Sequence, residues 1–430
     1  MNLPYNIEKL NFTNKLILCV FFVSVISFIS LESAVFAIDD EEIIDITGLN
    51  YGILQITIKA NHTGVDTQNK LVELVGLLEK NLLWSGYFDL RKSYEDSDLV
   101  LHLNLVAEKE IQAKIFSQEG TLLYSSIKPL NKETTIDELI IALVEEIIIQ
   151  LTGEKSILKS AIAYVKRDQT NQYKLTLTDT FGKKRRTLYK DKNFNILPRW
   201  SPDASSILFT SLTGKGSQIK QLIISSLHVK ILFSDLGKLS GGTWSKSGKQ
   251  IILTLTKSGN PDLYLLQLNG GAAKRLTFRT SSESNPRWSP DGSRLLFVSN
   301  RSGTVQIYQR ILASGEIFRM TFEGSYNVEP SWSNDGAHIV FSGITEEKKF
   351  HIFMMDREGE FVQQLTNGDV SAEQPVWSPN GRQILYVSKI GYDQKLFIIR
   401  ADGSFKRRLT QSKSGISEFN PSWTANFLWK

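Results

Sequence analysis

The sequence predicts an α+β N-terminal domain followed by an all-β six-bladed β-propeller, and three observations carry that prediction. First, Trp200, Trp244, Trp288, Trp332, Trp377 and Trp423 are spaced 44 to 46 residues apart, most of them inside a Pro-x-Trp-Ser motif. Second, all but the last are followed by an apolar, strand-like run: Ile207–Ser211, Ile251–Leu255, Leu295–Ser299, His338–Ser342 and Ile384–Ser388. A repeat of roughly 40–50 residues built only of strands marks a propeller, not a helical solenoid. Third, Trp423 has almost no chain after it, while Ala161–Val165 resembles a second strand with no Trp motif before it. The C-terminal strand is therefore expected to enter the sheet of residues 161–190, closing the ring and leaving no open sheet edge.

Within a repeat, the first strand ends at the Trp. A Ser-Pro-Asp-Gly turn follows, with Pro presetting φ and Gly taking a positive φ. Asp203, Asp291 and Asp335 recur at this turn, which points to local bonding of backbone N–H groups, not to paired catalytic acids. Third strands are expected at Ile307-Tyr308, Phe350–Met354 and Lys395–Ile399, then a turn glycine (Gly271, Gly315, Gly359, Gly403), then fourth strands of the Lys274-Arg-Leu-Thr277 type. Some copies depart from the pattern. Ala204 stands where others have Gly, the copy at Trp244 lacks Pro and Asp, and 217–232 has no turn glycine. The regular Trp spacing implies packing between blades. The basic runs Lys183–Arg186 and Lys406–Arg408 fall at one point of the repeat and read as solvated hairpins.

Upstream, Lys9 and Lys15 precede Leu16–Leu31, an uncharged apolar run of 16 residues, and Val35-Phe-Ala37 offers a small-residue cleavage site. This reads as a signal peptide over 1–37, since a membrane span needs roughly 20 residues. Ile38–Asp45 is an acidic start, read equally as a solvated tail or a docking peptide. Leu54, Ile56 and Ile58 alternate with polar residues as a half-buried strand. Leu71, Leu74, Val75, Leu78 and Leu82 lie on one helical face that ends near Gly86. Leu99–Leu105 is a second strand, Glu110–Ser117 and Thr121–Ile127 form a hairpin around Gly120, and Thr135 with Glu138 fits a capping box opening a second helix that Gly153 ends. The expected order is β-α-β-β-β-α over 38–152, with a linker at 153–160 and the propeller over 161–430.

With 430 residues and a formal net charge of +5, charge alone does not argue for nucleic acid. Cys19 is the only cysteine and lies in the export segment. The mature chain then has no disulfide, thiolate metal site or cysteine nucleophile. No Gly-x-Ser-x-Gly elbow is present, and His62, His102, His228, His338 and His351 form no His-x-x-x-His pair. No cofactor or metal is implied.

A signal peptide, a small α+β domain and a six-bladed propeller together resemble the TolB family of the Tol-Pal system. The junction Leu151-Thr-Gly-Glu-Lys155 with Ile162-Ala-Tyr-Val165, and Trp84-Ser-Gly-Tyr-Phe88 at the end of the first helix, carry the resemblance most specifically. It implies a periplasmic, non-enzymatic protein that supports outer-membrane integrity and its invagination during cell division. The implied partners are two. A Pal-like peptidoglycan-associated lipoprotein would dock on the propeller face made by loops 235–242, 279–286, 323–330, 367–375 and 411–421. A TolA-like inner-membrane protein would be contacted by the mature N-terminus. The implied lipoprotein-binding set is Ser284, Asn285, Asn327, Glu329, Glu373, Gln374 and Asn420. The implied TolA-like contact is the tail bearing Asp39, Asp40, Glu41, Glu42 and Asp45. The competing reading is an exported propeller enzyme, a metal-dependent sugar lyase or hydrolase with its site in the channel. That would need convergent His or carboxylate ligands, and these loops contain no His.

Overall fold

The computed structural model describes residues 52–63, 68–106, 109–131, 134–257, 259–278, 280–425, 427 and 429. The segment 1–37 read as a signal peptide and the acidic start lie outside them.

The α+β part runs β1 (Leu54–Thr63), α1 (Gln68–Ser85), β2 (Phe88–Leu90), β3 (Leu99–Val106), β4 (Glu110–Ser117), β5 (Leu122–Pro129) and α2 (Ile136–Thr152). The sheet order is β2-β1-β3-β4-β5, with β1 parallel to both neighbours. Strand β2 is an addition to the expected order. Its three residues are too few to show alternation, and it exists because the chain leaving α1 falls alongside Leu54–Ile56. The caps follow local chemistry. Thr135 and Glu138 form the reciprocal capping box, and Gly153 ends α2 at φ 68°. Leu74, Leu78 and Leu82 of α1 and Ile140, Leu143 and Ile147 of α2 pack on Leu101 and Leu103 of β3.

The remainder is six four-stranded antiparallel sheets. Blade 1 is Phe194–Trp200, Ser206–Thr213, Gly216–Ile223 and Val229–Asp235. Blades 2 to 5 begin with Lys238–Trp244, Glu283–Trp288, Asn327–Trp332 and Ala372–Trp377. Blade 6 joins the two ends of the ring: Ser417–Thr424 pairs with Ala161–Arg167, placing Trp423 opposite Ile162, and Tyr173–Asp179 and Arg185–Tyr189 complete the sheet.

Each motif Trp packs on the preceding blade. Trp244 joins Leu208 and Ile219 of blade 1, Trp332 joins Leu296 and Ile307 of blade 3, and Trp423 joins Leu385 and Leu396 of blade 5. The Nε1–H of Trp244 donates to Arg199 O at 3.2 Å, and that of Trp200 to Ser422 O at 3.2 Å. Trp288 alone of the six is only half-buried.

The turn aspartates act locally. Ser205 N–H donates to Asp203 at 3.1 Å, Ser293 N–H to Asp291 and Ala337 N–H to Asp335 at 3.0 Å each. The hydroxyls of Thr277, Thr321 and Thr366, two residues past the fourth strands, accept the third-strand N–H groups of Leu263, Ile307 and Ile352.

Antiparallel order fixes two faces. Turns between strands 1–2 and 3–4 lie on one, connections 2–3 and 4–1 on the other. The α+β part meets the first of these. Arg400 Nη1 donates to Asp89 at 2.7 Å, Gln383 Nε2 donates to Trp84 O at 2.8 Å, and the Arg382 and Arg407 guanidiniums lie 4.1 Å over the rings of Tyr87 and Trp84. The Trp84–Phe88 segment is thus the contact itself.

Candidate functional site

The axis of the ring opens as a recess of about 280 Å³, counting the part open to solvent. Leu197, Arg199, Asn285, Arg287, Glu329, Gln374, Pro375, Val376, Asn420 and Pro421 line it. All come from the inner, first strands of the blades.

One backbone device builds the wall. In every blade the residue two before the residue-Trp pair has a positive φ: Leu197 (55°), Gly241 (55°), Asn285 (52°), Glu329 (57°), Gln374 (59°) and Asn420 (49°). At the same point the pairing of first and second strands slips as a β-bulge. A left-handed conformation in a non-glycine residue costs about 1–2 kcal/mol, and such strain gathers where a side chain must be re-aimed. Here it turns the bulge side chain of three blades along the ring. Glu329 Oε2 accepts the N–H of Gln374 at 2.8 Å, Gln374 Oε1 accepts that of Asn420 at 2.6 Å, and Asn420 Oδ1 accepts that of Leu197 at 3.3 Å. The relay ends at Leu197, which has no acceptor to offer. Gly241 N–H is met instead by Thr210 Oγ1 at 3.2 Å.

Of the residues proposed from sequence, Asn285, Glu329, Gln374 and Asn420 come together on this wall. Ser284 donates to Asn285 Oδ1 at 3.3 Å. Glu373 is half-buried beside Gln374. Burial raises its carboxyl pKa, against a smaller opposing pull from Lys389. Asn327 stands apart. It is buried, and its Nδ2 donates to Gln306 Oε1 at 2.9 Å and Glu323 O at 2.8 Å. The alternation of a strand explains this: Asn195, Leu239, Glu283, Asn327, Ala372 and Glu418, each two residues before the bulge, are all buried. The tail set from Asp39 to Asp45 lies outside the described residues.

Sequence reasoning missed Arg199 and Arg287. Their signal was present, since only these two motifs place Arg between Pro and Trp, where the others have Thr243, Ser331, Val376 and Ser422. Arg199 Nη1 donates to Pro198 O at 2.7 Å and Pro421 O at 3.2 Å, and Arg287 Nη1 to Pro286 O at 3.0 Å. Burial, then the charge of Arg287, lowers the pKa of Arg199, and Glu329 opposes this. Burial brings Arg287 down to about 10, again opposed by Glu329. Burial raises the Glu329 carboxyl pKa despite its bonds from Ser342 and Gln374, and Glu373 adds to the rise.

Fold and recess together define a closed six-bladed propeller with an axial site and a small α+β layer against its 1–2 and 3–4 turns. Residues 149–427 match the family described as the TolB beta propeller domain, and the chain belongs to that family. It is similar to the curated "Tol-Pal system protein TolB" of Ruthia magnifica subsp. Calyptogena magnifica, 32% identical over 133 residues, 30% of this chain and 31% of that one. It is also similar to the protein of the same name from Vesicomyosocius okutanii subsp. Calyptogena okutanii, 29% identical over 175 residues, 37% of this chain and 41% of that one. These matches span less than half the length of either relative. The solved structure of TolB from Acinetobacter baumannii superposes with a TM-score of 0.73 over 86% of this chain and 96% of that chain, at 24% identity, a likeness of fold.

Proposed function

We propose that this chain is a periplasmic protein–protein hub of the Tol-Pal system and catalyses no reaction. Its propeller face would hold a Pal-like peptidoglycan-associated lipoprotein. Its acidic N-terminal tail would engage a TolA-like inner-membrane protein. Linking the two envelope layers would support outer-membrane integrity and invagination during division. The observation that carries the reading is the set of bulge residues gathered around the axial recess. A recess this small is below the roughly 300–1,000 Å³ typical of small-ligand sites, and it suits the tip of a docked protein.

The rim of the same face supports this. Phe278 and Phe322, which follow the fourth strands of blades 2 and 3, are 72% and 70% exposed. Each lies against an arginine, with Arg275 5.2 Å and Arg319 5.0 Å from the ring centroids. Exposed aromatics held in place mark contact surfaces. The test is calorimetric binding of the soluble domain of the cognate lipoprotein. Phe322→Glu should weaken it about tenfold or more, as loss of an aromatic anchor does. Phe361→Glu, 84% exposed on a 3–4 turn of the opposite face, should leave it unchanged. The reverse pattern would assign the wrong face.

A further inference from the structure

We propose that the axial recess is an acceptor for a carboxylate side chain of a protein partner, gripped between Arg199 and Arg287. The proposal rests on the reading that this face receives a protein.

Three observations lead to it. The two guanidinium groups line one small recess in alternate blades, close enough that each feels charge within it. Their recorded hydrogen bonds go only to proline carbonyls, and among the described residues no carboxylate lies within ion-pairing distance of either. Glu329 lines the same recess and its charge favours both cations, but it forms no ion pair with either, and its Oε2 is held by Gln374 N–H and by Ser342 Oγ at 2.9 Å. Two half-buried cations in one recess without an ion-paired carboxylate are costly, because part of their hydration is lost and their charges repel. Burial lowers the pKa of both, as that cost requires. An incoming carboxylate would answer the forked N–H geometry of arginine, which matches two carboxylate oxygens.

The occupant is a protein side chain and not a free anion for a reason of area. Phe278, Phe322 and Leu236 are exposed on 4–1 connections of the propeller. A small inorganic anion has no use for that surface. A protein presenting one Asp or Glu among apolar residues uses both.

The experiment uses the mature chain and the soluble lipoprotein domain, with binding followed by calorimetry. Arg199→Gln and Arg287→Gln should each weaken binding about tenfold or more while keeping the far-UV circular dichroism of the wild type, as expected when one member of a buried charge pair is removed. Arg287→Lys, which keeps charge but loses the fork, should fall between. One Glu→Gln or Asp→Asn change on the partner should weaken binding equally and add nothing to Arg287→Gln. Binding of the Arg199→Gln, Arg287→Gln double variant within about twofold of wild type would overturn the inference, since a buried pair is worth more than that. Failure of the wild type to bind the domain would instead remove the hub reading. A second arm then decides: thermal melting in acetate against chloride at equal ionic strength. Stabilisation by acetate that the double variant loses sustains a carboxylate site, and no acetate effect overturns it. A response to phosphate but not acetate would also overturn it, in favour of a free inorganic anion.

Discussion

Ala204 shows how a single side chain can be out of step with its place in a repeat. Gly248, Gly292, Gly336 and Gly381 occupy the turn with φ between 67° and 79°, and Ala204 takes φ 57° at the same point. The turn geometry is set by the strands on either side, so the residue with a Cβ must follow. Ala204→Gly should raise stability by about 0.5–1 kcal/mol, strain relief less the added chain entropy, in urea unfolding. A loss of stability would show that Ala204 is unstrained. Leu227 has the same history, at φ 55° in the segment whose turn glycine is missing. The tryptophans differ in a comparable way. Trp332→Ala should cost about 3–5 kcal/mol, as expected for a buried aromatic. Trp288→Ala, from a half-buried position, should cost less, and equal costs would argue that exposure does not rank these sites.

At the scale of the element, the connection between blades 6 and 1 carries a half-buried polar knot. Asp191 accepts from Asn195 Nδ2 at 2.7 Å, Asn193 Nδ2 at 2.8 Å and Tyr189 OH at 2.9 Å, with Lys220 at 3.4 Å. Burial alone would raise its carboxyl pKa, but these bonds outweigh burial and hold it at about 2. An unfolded aspartate titrates near about 3.9. The stability Asp191 adds is therefore present above about pH 4 and lost as pH falls through about 2, because the unfolded chain takes up the proton first. Asp191→Asn should flatten that part of the stability–pH curve in denaturant melts, and an unchanged slope would count against the knot.

Across the whole molecule, the ring and the α+β part are joined by few but charged contacts. Arg400 donates to Asp89 Oδ1 and to Phe88 O, and is itself buried. Arg400→Ala should weaken the junction by about 2–3 kcal/mol, the worth of hydrogen bonds to a charged group. Calorimetry should then separate one unfolding transition into two, or limited proteolysis should cut near residues 153–160. A single unchanged transition would mean that Tyr87, Trp84 and the Arg382 and Arg407 stacks suffice.

The sequence alone determined the blade count, the closure of blade 6 and the helix caps, because each is written in local, repeated chemistry: a Trp every 44 to 46 residues, a turn, a Thr-Glu pair. Four of the seven propeller residues proposed from sequence line the recess, because they sit on the inner first strands, at the bulge just past the variable connections. Asn327 is buried apart from the recess, a placement the sequence lacks the register to give: its position relative to the bulge is set by pairing with the second strand. Only the tertiary structure decided the bulge ring, since Leu197, Glu329 and Gln374 carry no local preference for a positive φ. It alone also brought Arg199 and Arg287 together. They are 88 residues apart in the chain, and neighbours only because closing the sheets into a ring turns every first strand toward one axis.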